Sequence, residues 1–271
     1  MIATLQPAPS QEDPPAPLLA VQDLTAGIGG KEICRGLNLR VEPHQCWGIL
    51  GRNGAGKTTL LHTLAGLRAP AAGRIMLSGR DLRSLSRRAV ARAVGLLLQD
   101  SVDSFPATVL ETALIGRHPH LGLWQWEGPE DLEAARRALR AVELADLETR
   151  LVNTLSGGER RRLAIATLLV QDPSLYLLDE PTNHLDLRHQ ITLLDLLTDR
   201  ARNGGKALLM VLHDVNLAAR YCDHLLLLFD DGTTLGGPAA EILQQDHLSR
   251  LYGHPVVPAA RPDGGRAWLP A

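Results

Sequence analysis

The segment Gly51-Arg52-Asn53-Gly54-Ala55-Gly56-Lys57-Thr58 has the residue types and spacing to wrap a chain of phosphates. Its glycines let backbone N–H groups converge on phosphate oxygens without Cβ obstruction. The helical run Thr59 to Leu67 that follows would aim its first N–H groups at the same oxygens. Lys57 would reach the β- and γ-phosphates of a nucleoside triphosphate, and Thr58 would set its hydroxyl on Mg²⁺. Trp47 to Leu50 reads as a buried strand feeding the loop, so the motif sits in the strand-loop-helix context it requires.

Two carboxylates extend this set towards hydrolysis. Leu175 to Leu178 is an apolar strand ending in Asp179-Glu180, and a doubly wound sheet keeps its ligands at that end of its strands. Asp179 would hold Mg²⁺ through its water shell. Glu180, whose side chain diverges from its neighbour's, would be the base that polarises an attacking water. His213 closes another buried strand and would donate to the γ-phosphate, while Asp214 caps a helix running to Cys222. Gln99 also ends a strand, where its amide can ligate Mg²⁺ or water in one state and release it in another. In Leu155-Ser156-Gly157-Gly158-Glu159, Ser156 and Glu159 have capping-box spacing, so a helix should start there.

Short buried strands alternating with helices must position these groups. Trp47 to Leu50, Val94 to Leu98, Leu175 to Leu178, Ala207 to Leu212 and Leu225 to Phe229 predict an α/β fold with a mainly parallel sheet, the core of a P-loop NTPase. Leu19 to Leu24, Leu37 to Val41 and Arg74 to Leu77 alternate, which predicts an N-terminal antiparallel β subdomain. Strand signals stop between Gln99 and Leu155. There the Thr108/Glu111 capping box opens a helix over Val109 to Gly116, and Pro129 precedes one over Glu130 to Val142. The expected division is a disordered Pro-rich extension over residues 1–17, one domain over 18–252 with a helical subdomain inserted at about 100–160, and an irregular tail over 253–271. Within the domain, Asn203-Gly204-Gly205 should stop a helix that begins near His189.

With 271 residues the chain can bury a substantial core without metal or disulfide. Its net charge of −2 gives no long-range pull on nucleic acid, and no nucleic-acid partner is expected. Cys34, Cys46 and Cys222 fit no metal-ligand spacing or disulfide frame, and read as small core residues in a reducing compartment. The first residues lack the basic start and apolar stretch of a secretory signal. No window reaches the roughly 18–20 apolar residues of a membrane-spanning helix, so any work at a membrane needs another chain to span it.

Taken in order, Gly51 to Thr58, Gln99, Leu155 to Glu159, Asp179-Glu180, Asn183-His184-Leu185-Asp186 and His213 resemble the motifs of the ATP-binding subunit of an ABC transporter. The likeness runs from about Leu18 to Tyr252. It implies that ATP and Mg²⁺ are bound, that ATP is hydrolysed, and that two copies pair head to tail. Each ATP would lie between the phosphate loop of one subunit and Ser156, Gly157, Gly158 and Glu159 of the other. Asp186 would lie at the seam. Two positions depart from the family pattern. Where an aromatic residue usually stacks on adenine, the stretch Thr25 to Gly30 offers Ile28, which implies a weaker preference for that base. Arg161 stands where glutamine is common, and Arg160 to Arg162 reads as a solvated helix face.

Thr108-Val109-Leu110-Glu111, followed by Gly116-Arg117-His118-Pro119-His120, resembles bacterial importer ATPases for iron-siderophores, haem and cobalamin. That likeness implies a peripheral subunit on the cytoplasmic face of the inner membrane. It would dock on two transmembrane permease subunits, serve a substrate-binding protein indirectly and make no contact with cargo. Trp124 and Trp126 read as packing or interface residues. Other ABC-type ATPases share the motifs. A chromosome-maintenance ATPase would need a long coiled coil between Gln99 and Leu155, and a translation-associated one would carry two cassettes. A soluble single-cassette ATPase of iron-sulfur assembly remains an alternative.

Overall fold

A computed structural model of the chain describes residues 16–99, 106–122, 124–261 and 265–271. Residues 1–15 of the expected Pro-rich extension lie outside them. A six-stranded sheet forms the centre, in the order β10-β9-β3-β8-β7-β6: β3 (Cys46–Gly51), β6 (Val94–Leu97), β7 (Leu175–Asp179), β8 (Ala207–Val211), β9 (His224–Leu228) and β10 (Thr234–Pro238). All neighbours are parallel except β10, which runs antiparallel to β9. A four-stranded antiparallel sheet, β2-β1-β4-β5, joins β1 (Leu19–Ile28), β2 (Lys31–Val41), β4 (Ala72–Leu77) and β5 (Arg80–Asp81).

The central sheet separates two apolar cores, and strand alternation assigns side chains to them. In β7, Leu175 and Leu177 pack with the antiparallel sheet and α1 (Lys57–Leu64), whereas Tyr176 and Leu178 pack with the helices on the opposite face. Asp179 shares the parity of Leu175 and Leu177. Its carboxylate is therefore delivered to the α1 side, beneath the phosphate loop.

The opposite face carries α3 (Val109–Leu114), α4 (Pro129–Ala141), α5 (Gly157–Gln171), α6 (Leu187–Gly204) and α7 (Val215–Tyr221), while the short α2 (Arg87–Ala93) leads into β6. Local chemistry fixes their starts. Thr108 and Glu111 close a reciprocal capping box on α3, and Pro129 takes the first turn of α4, where its missing N–H costs nothing. Asp186 caps α6, and Gly205 ends it in the left-handed region at φ 67°. The three cysteines are free and buried.

The chain after α8 (Ala239–Ile242) and α9 (Gln245–Tyr252) corrects the expectation of an irregular tail. There β11 (Val256–Ala260) and β12 (Arg266–Pro270) pair as an antiparallel ribbon. A lone two-stranded ribbon is marginal in water, so its order comes from docking. Val256 and Trp268 are buried, and Asn216 of α7 binds the Trp268 backbone twice, accepting from its N–H at 2.7 Å and donating to its carbonyl at 3.2 Å. Pro258 and the local glycines hid this strand pattern. Gly236, Gly237 and Pro238 similarly masked β10, an edge strand that tolerates them.

Candidate active site

The phosphate loop leaves the carboxyl end of β3 and enters α1 through Gly56. That position requires glycine on two counts: its φ is 97°, and a Cβ would stand 2.4 Å from Ile33 Cγ2. The loop opens onto a cleft of about 470 Å³ lined by Ile28, Lys31, Ile33, Asn53, Gly54, Gly56, Lys57, Thr58, Thr59, Gln99, Glu180 and His213. Residues scattered over the sequence thus meet at one end of the parallel strands. Gly51, Arg52 and Ala55 complete the loop behind this surface. Lys57 Nζ donates to the carbonyls of Gly51 at 2.9 Å and Arg52 at 3.1 Å, while the Arg52 guanidinium turns away to Asp230 at 2.8 Å. Burial pulls the Lys57 pKa down, and the Glu180 and Asp179 carboxylates oppose that shift.

Glu180 is the most heavily engaged carboxylate of the cleft. Its Oε2 accepts from Gln99 Nε2 at 3.2 Å and from the Asn183 amide, while Oε1 stands 2.5 Å from His213 Nε2. The residue itself has φ 50°, an uncommon conformation for a side chain larger than glycine. Asp179, fully buried, is its opposite: neither carboxylate oxygen has a hydrogen-bond partner of good geometry. Burial raises its pKa, and the nearby Thr58 hydroxyl offsets only part of that effect. A buried, orphaned carboxylate beside a threonine hydroxyl and a phosphate loop suits a hard divalent cation with oxygen ligands.

Ser156, Gly157, Gly158, Glu159 and Asp186 do not line this cleft. Ser156 Oγ accepts from the Glu159 N–H at 3.2 Å, and the Glu159 carboxylate accepts from the Ser156 N–H at 2.7 Å. That backbone bond, with the Ser156 hydroxyl, holds the Glu159 pKa low. A Cβ on Gly158 would lie 3.1 Å from the His184 carbonyl oxygen, so the start of α5 packs closely on the segment before α6. Asp186 accepts from the His189 N–H at 2.9 Å, which depresses its pKa.

Three groups at or beneath the cleft carried no role of their own in the sequence, Asn183 having entered only as part of a motif. Asn183 closes the turn after Glu180 with its N–H on the Glu180 carbonyl at 3.1 Å, so the turn chemistry of Glu180-Pro181-Thr182-Asn183 was the available signal. His62 lies four residues after Thr58 on α1, on the same face of that helix, and its buried Nε2 has no hydrogen-bond partner. Lys31 lines the cleft beside Ile28.

Arg161 is a correction. The solvated face expected over Arg160 to Arg162 fails there, because Arg161 is 6% exposed and donates to backbone carbonyls beneath the cleft. Arg160 and Arg162 are half-buried and fastened to the Leu155 and Val142 carbonyls. Arg161 shares the inward stripe of α5 with Ile165 and Leu168.

A phosphate loop between a central parallel strand and a helix, facing an acidic strand end, defines a P-loop nucleoside triphosphatase. The family profile described as ABC transporter matches residues 34–183. The ferric enterobactin transport ATP-binding protein of Escherichia coli (strain K12) is 39% identical over 232 residues, covering 86% of each chain. The hemin import ATP-binding protein of Bordetella avium (strain 197N) is 40% identical over 243 residues, covering 87% of this chain and 92% of that one. Among solved structures, an ABC transporter described as of metal-chelate type, in an inward-facing conformation, superposes with a TM-score of 0.82 at 27% identity, covering 94% of this chain and 98% of that one. The chain belongs to the ABC transporter family, as an ATP-binding subunit that hydrolyses ATP. Among the described residues no helix is long and apolar enough to cross a membrane.

Proposed function

We propose that this chain energises a membrane importer for a metal-centred chelate, of the ferric siderophore, haem or cobalamin class, by hydrolysing ATP at the Lys57–Glu180 cleft. The observation that carries the chemistry is Glu180, held over the phosphate loop by Gln99, Asn183 and His213. Lys57 and the loop N–H groups bind the β- and γ-phosphates. Glu180 takes a proton from water as its oxygen attacks the γ-phosphorus, the bond from that phosphorus to the β,γ-bridging oxygen breaks, and ADP leaves with the electron pair. His213 donates to a γ-phosphate oxygen. Thr58, Asp179 and Gln99 would hold Mg²⁺, which when bound neutralises phosphate charge.

In this reading two copies pair head to tail, and the first turn of α5, with Ser156, Gly157, Gly158 and Glu159, closes the other copy's cleft through helix-end N–H groups. Asp186 lies at the seam. Two permease subunits span the membrane, and the chain works on its cytoplasmic face. Trp124 and Trp126, 91% and 86% exposed, support an interface role over internal packing. The import direction and the cargo class rest on the enterobactin and hemin relatives.

Glu180→Gln should keep ATP binding and lower turnover by about 10²–10⁴-fold, the usual range for a lost general base. Full turnover in that variant would remove Glu180 from the role. Co-purification from detergent with a many-helix membrane protein supports the importer. A stable complex with soluble partners alone would favour iron-sulfur assembly instead.

A further inference from the structure

We infer that Arg161 is a positioning residue for hydrolysis, holding the backbone that aims Gln99 and Glu180 from a side chain rooted in the first two turns of α5. The inference rests on the roles proposed for those two residues.

The β6–β7 ladder ends at the pair Leu97 and Leu178. Beyond it the two chains part, one towards Gln99 and the other into the Asp179-Glu180-Pro181 turn, and their carbonyls face a gap that strand pairing no longer fills. The Arg161 guanidinium fills it. Nη1 donates to the Leu98 carbonyl at 2.5 Å and the Gln99 carbonyl at 3.4 Å. Nη2 donates to the Glu180 carbonyl at 2.7 Å and to the Asp179 carbonyl, and Nε donates to the Pro181 carbonyl at 3.3 Å. One planar fork thus takes the place of the next rungs of the sheet.

Shape matters more than charge in this bridge. A guanidinium presents five N–H donors in a fixed plane, whereas an ammonium offers three on a flexible stem and a glutamine amide offers two. Only the first reaches both diverging strands at once. What it grips is the backbone of Glu180 itself, held at φ 50°, a conformation that persists only where its surroundings enforce it. Arg161 also stands one helical turn from Ser156 and Gly157. The same rigid fork therefore ties the start of α5, which serves the partner's nucleotide, to the carboxylate that serves this chain's own.

The test compares Arg161→Ala, Arg161→Lys and Arg161→Gln with Glu180→Gln in the full-length protein, reading kcat, KM for ATP, and melting temperature. Arg161→Ala should lower kcat on the order of 100-fold, as expected for a displaced reacting group, with KM within about threefold. Arg161→Lys should recover at most about a tenth of wild-type kcat although it keeps the charge. Sub-denaturing guanidinium chloride should raise kcat of Arg161→Ala and leave that of Arg161→Lys unchanged. If the alanine variant is too unstable to purify, Arg161→Gln carries the same test, with kcat lowered about tenfold at unchanged KM. Lysine or glutamine variants with kcat within threefold of wild type would overturn the inference, and so would a loss confined to KM and melting temperature. An active Glu180→Gln variant would sink the underlying reading, whereas an inactive Glu180→Gln beside fully active Arg161 variants would sink this inference alone.

Discussion

In the proposed reading the cleft around Lys57 and the helix start at Ser156 both meet phosphate, yet they are finished to different degrees. The cleft is open at its mouth and electrostatically incomplete at its floor: Lys57 is buried, and Asp179 carries two orphaned oxygens. The helix start is exposed and locally complete, its capping box closed within four residues. An unfinished buried site gains by binding something small and charged. A finished exposed one gains only by meeting another surface. That difference is what the proposed head-to-tail pairing would use, each copy supplying the half that the other lacks.

The sharpest way to break this contrast is to put a like charge on the exposed half. Gly158→Asp sets a carboxylate at the mouth of α5; its Cβ would stand 3.1 Å from the His184 carbonyl oxygen, so the segment before α6 has to give by a few tenths of an ångström, and the melting temperature is read beside dimerisation. ATP-driven dimerisation, followed by size-exclusion chromatography or light scattering, should vanish, while nucleotide binding to the monomer stays within about twofold. Equal loss of both would put the segment in its own chain's pocket. Lys57→Ala attacks the other half and should weaken monomer binding of ATP by about 100-fold, the scale for removing one partner of a buried charged contact, as read by fluorescence titration. Unchanged affinity would mean that the lysine does not meet the phosphates.

The smallest effect concerns the base. Ile28 and Lys31 offer aliphatic surface where a ring could stack. Ile28→Tyr should raise the preference for ATP over GTP by about 3–10-fold, in line with the ~0.5–1.5 kcal/mol of an aromatic pair. No change in the ratio of kcat/KM values would show that the base is held elsewhere.

What was legible in the sequence follows from how local each signal is. Gly51 to Thr58 encodes its own turn, and Thr108/Glu111 and Ser156/Glu159 encode their own caps, because donor and acceptor lie within a few residues. The parallel sheet was legible because strands buried on both faces read as unbroken apolar runs. Arg161 was not, since its partners lie 18 to 63 residues away and a charged side chain on a helix normally seeks water. Asn183 acts through the Glu180 carboxylate, so its role appears only once that carboxylate is placed. The ribbon of β11 and β12 was hidden for a related reason, since its order is lent by Asn216 and by the burial of Trp268.

That ribbon also changes what counts as remote in this protein. Asn216, which grips Trp268, stands three residues beyond His213 on the helix that His213 leads into. A probe attached near Pro270 would sit on the far end of a short lever whose fulcrum is α7. If His213 takes the proposed part at the γ-phosphate, fluorescence from such a probe should change on ATP binding without any label entering the cleft, and an unchanged signal would show that α7 does not carry the contact to the ribbon.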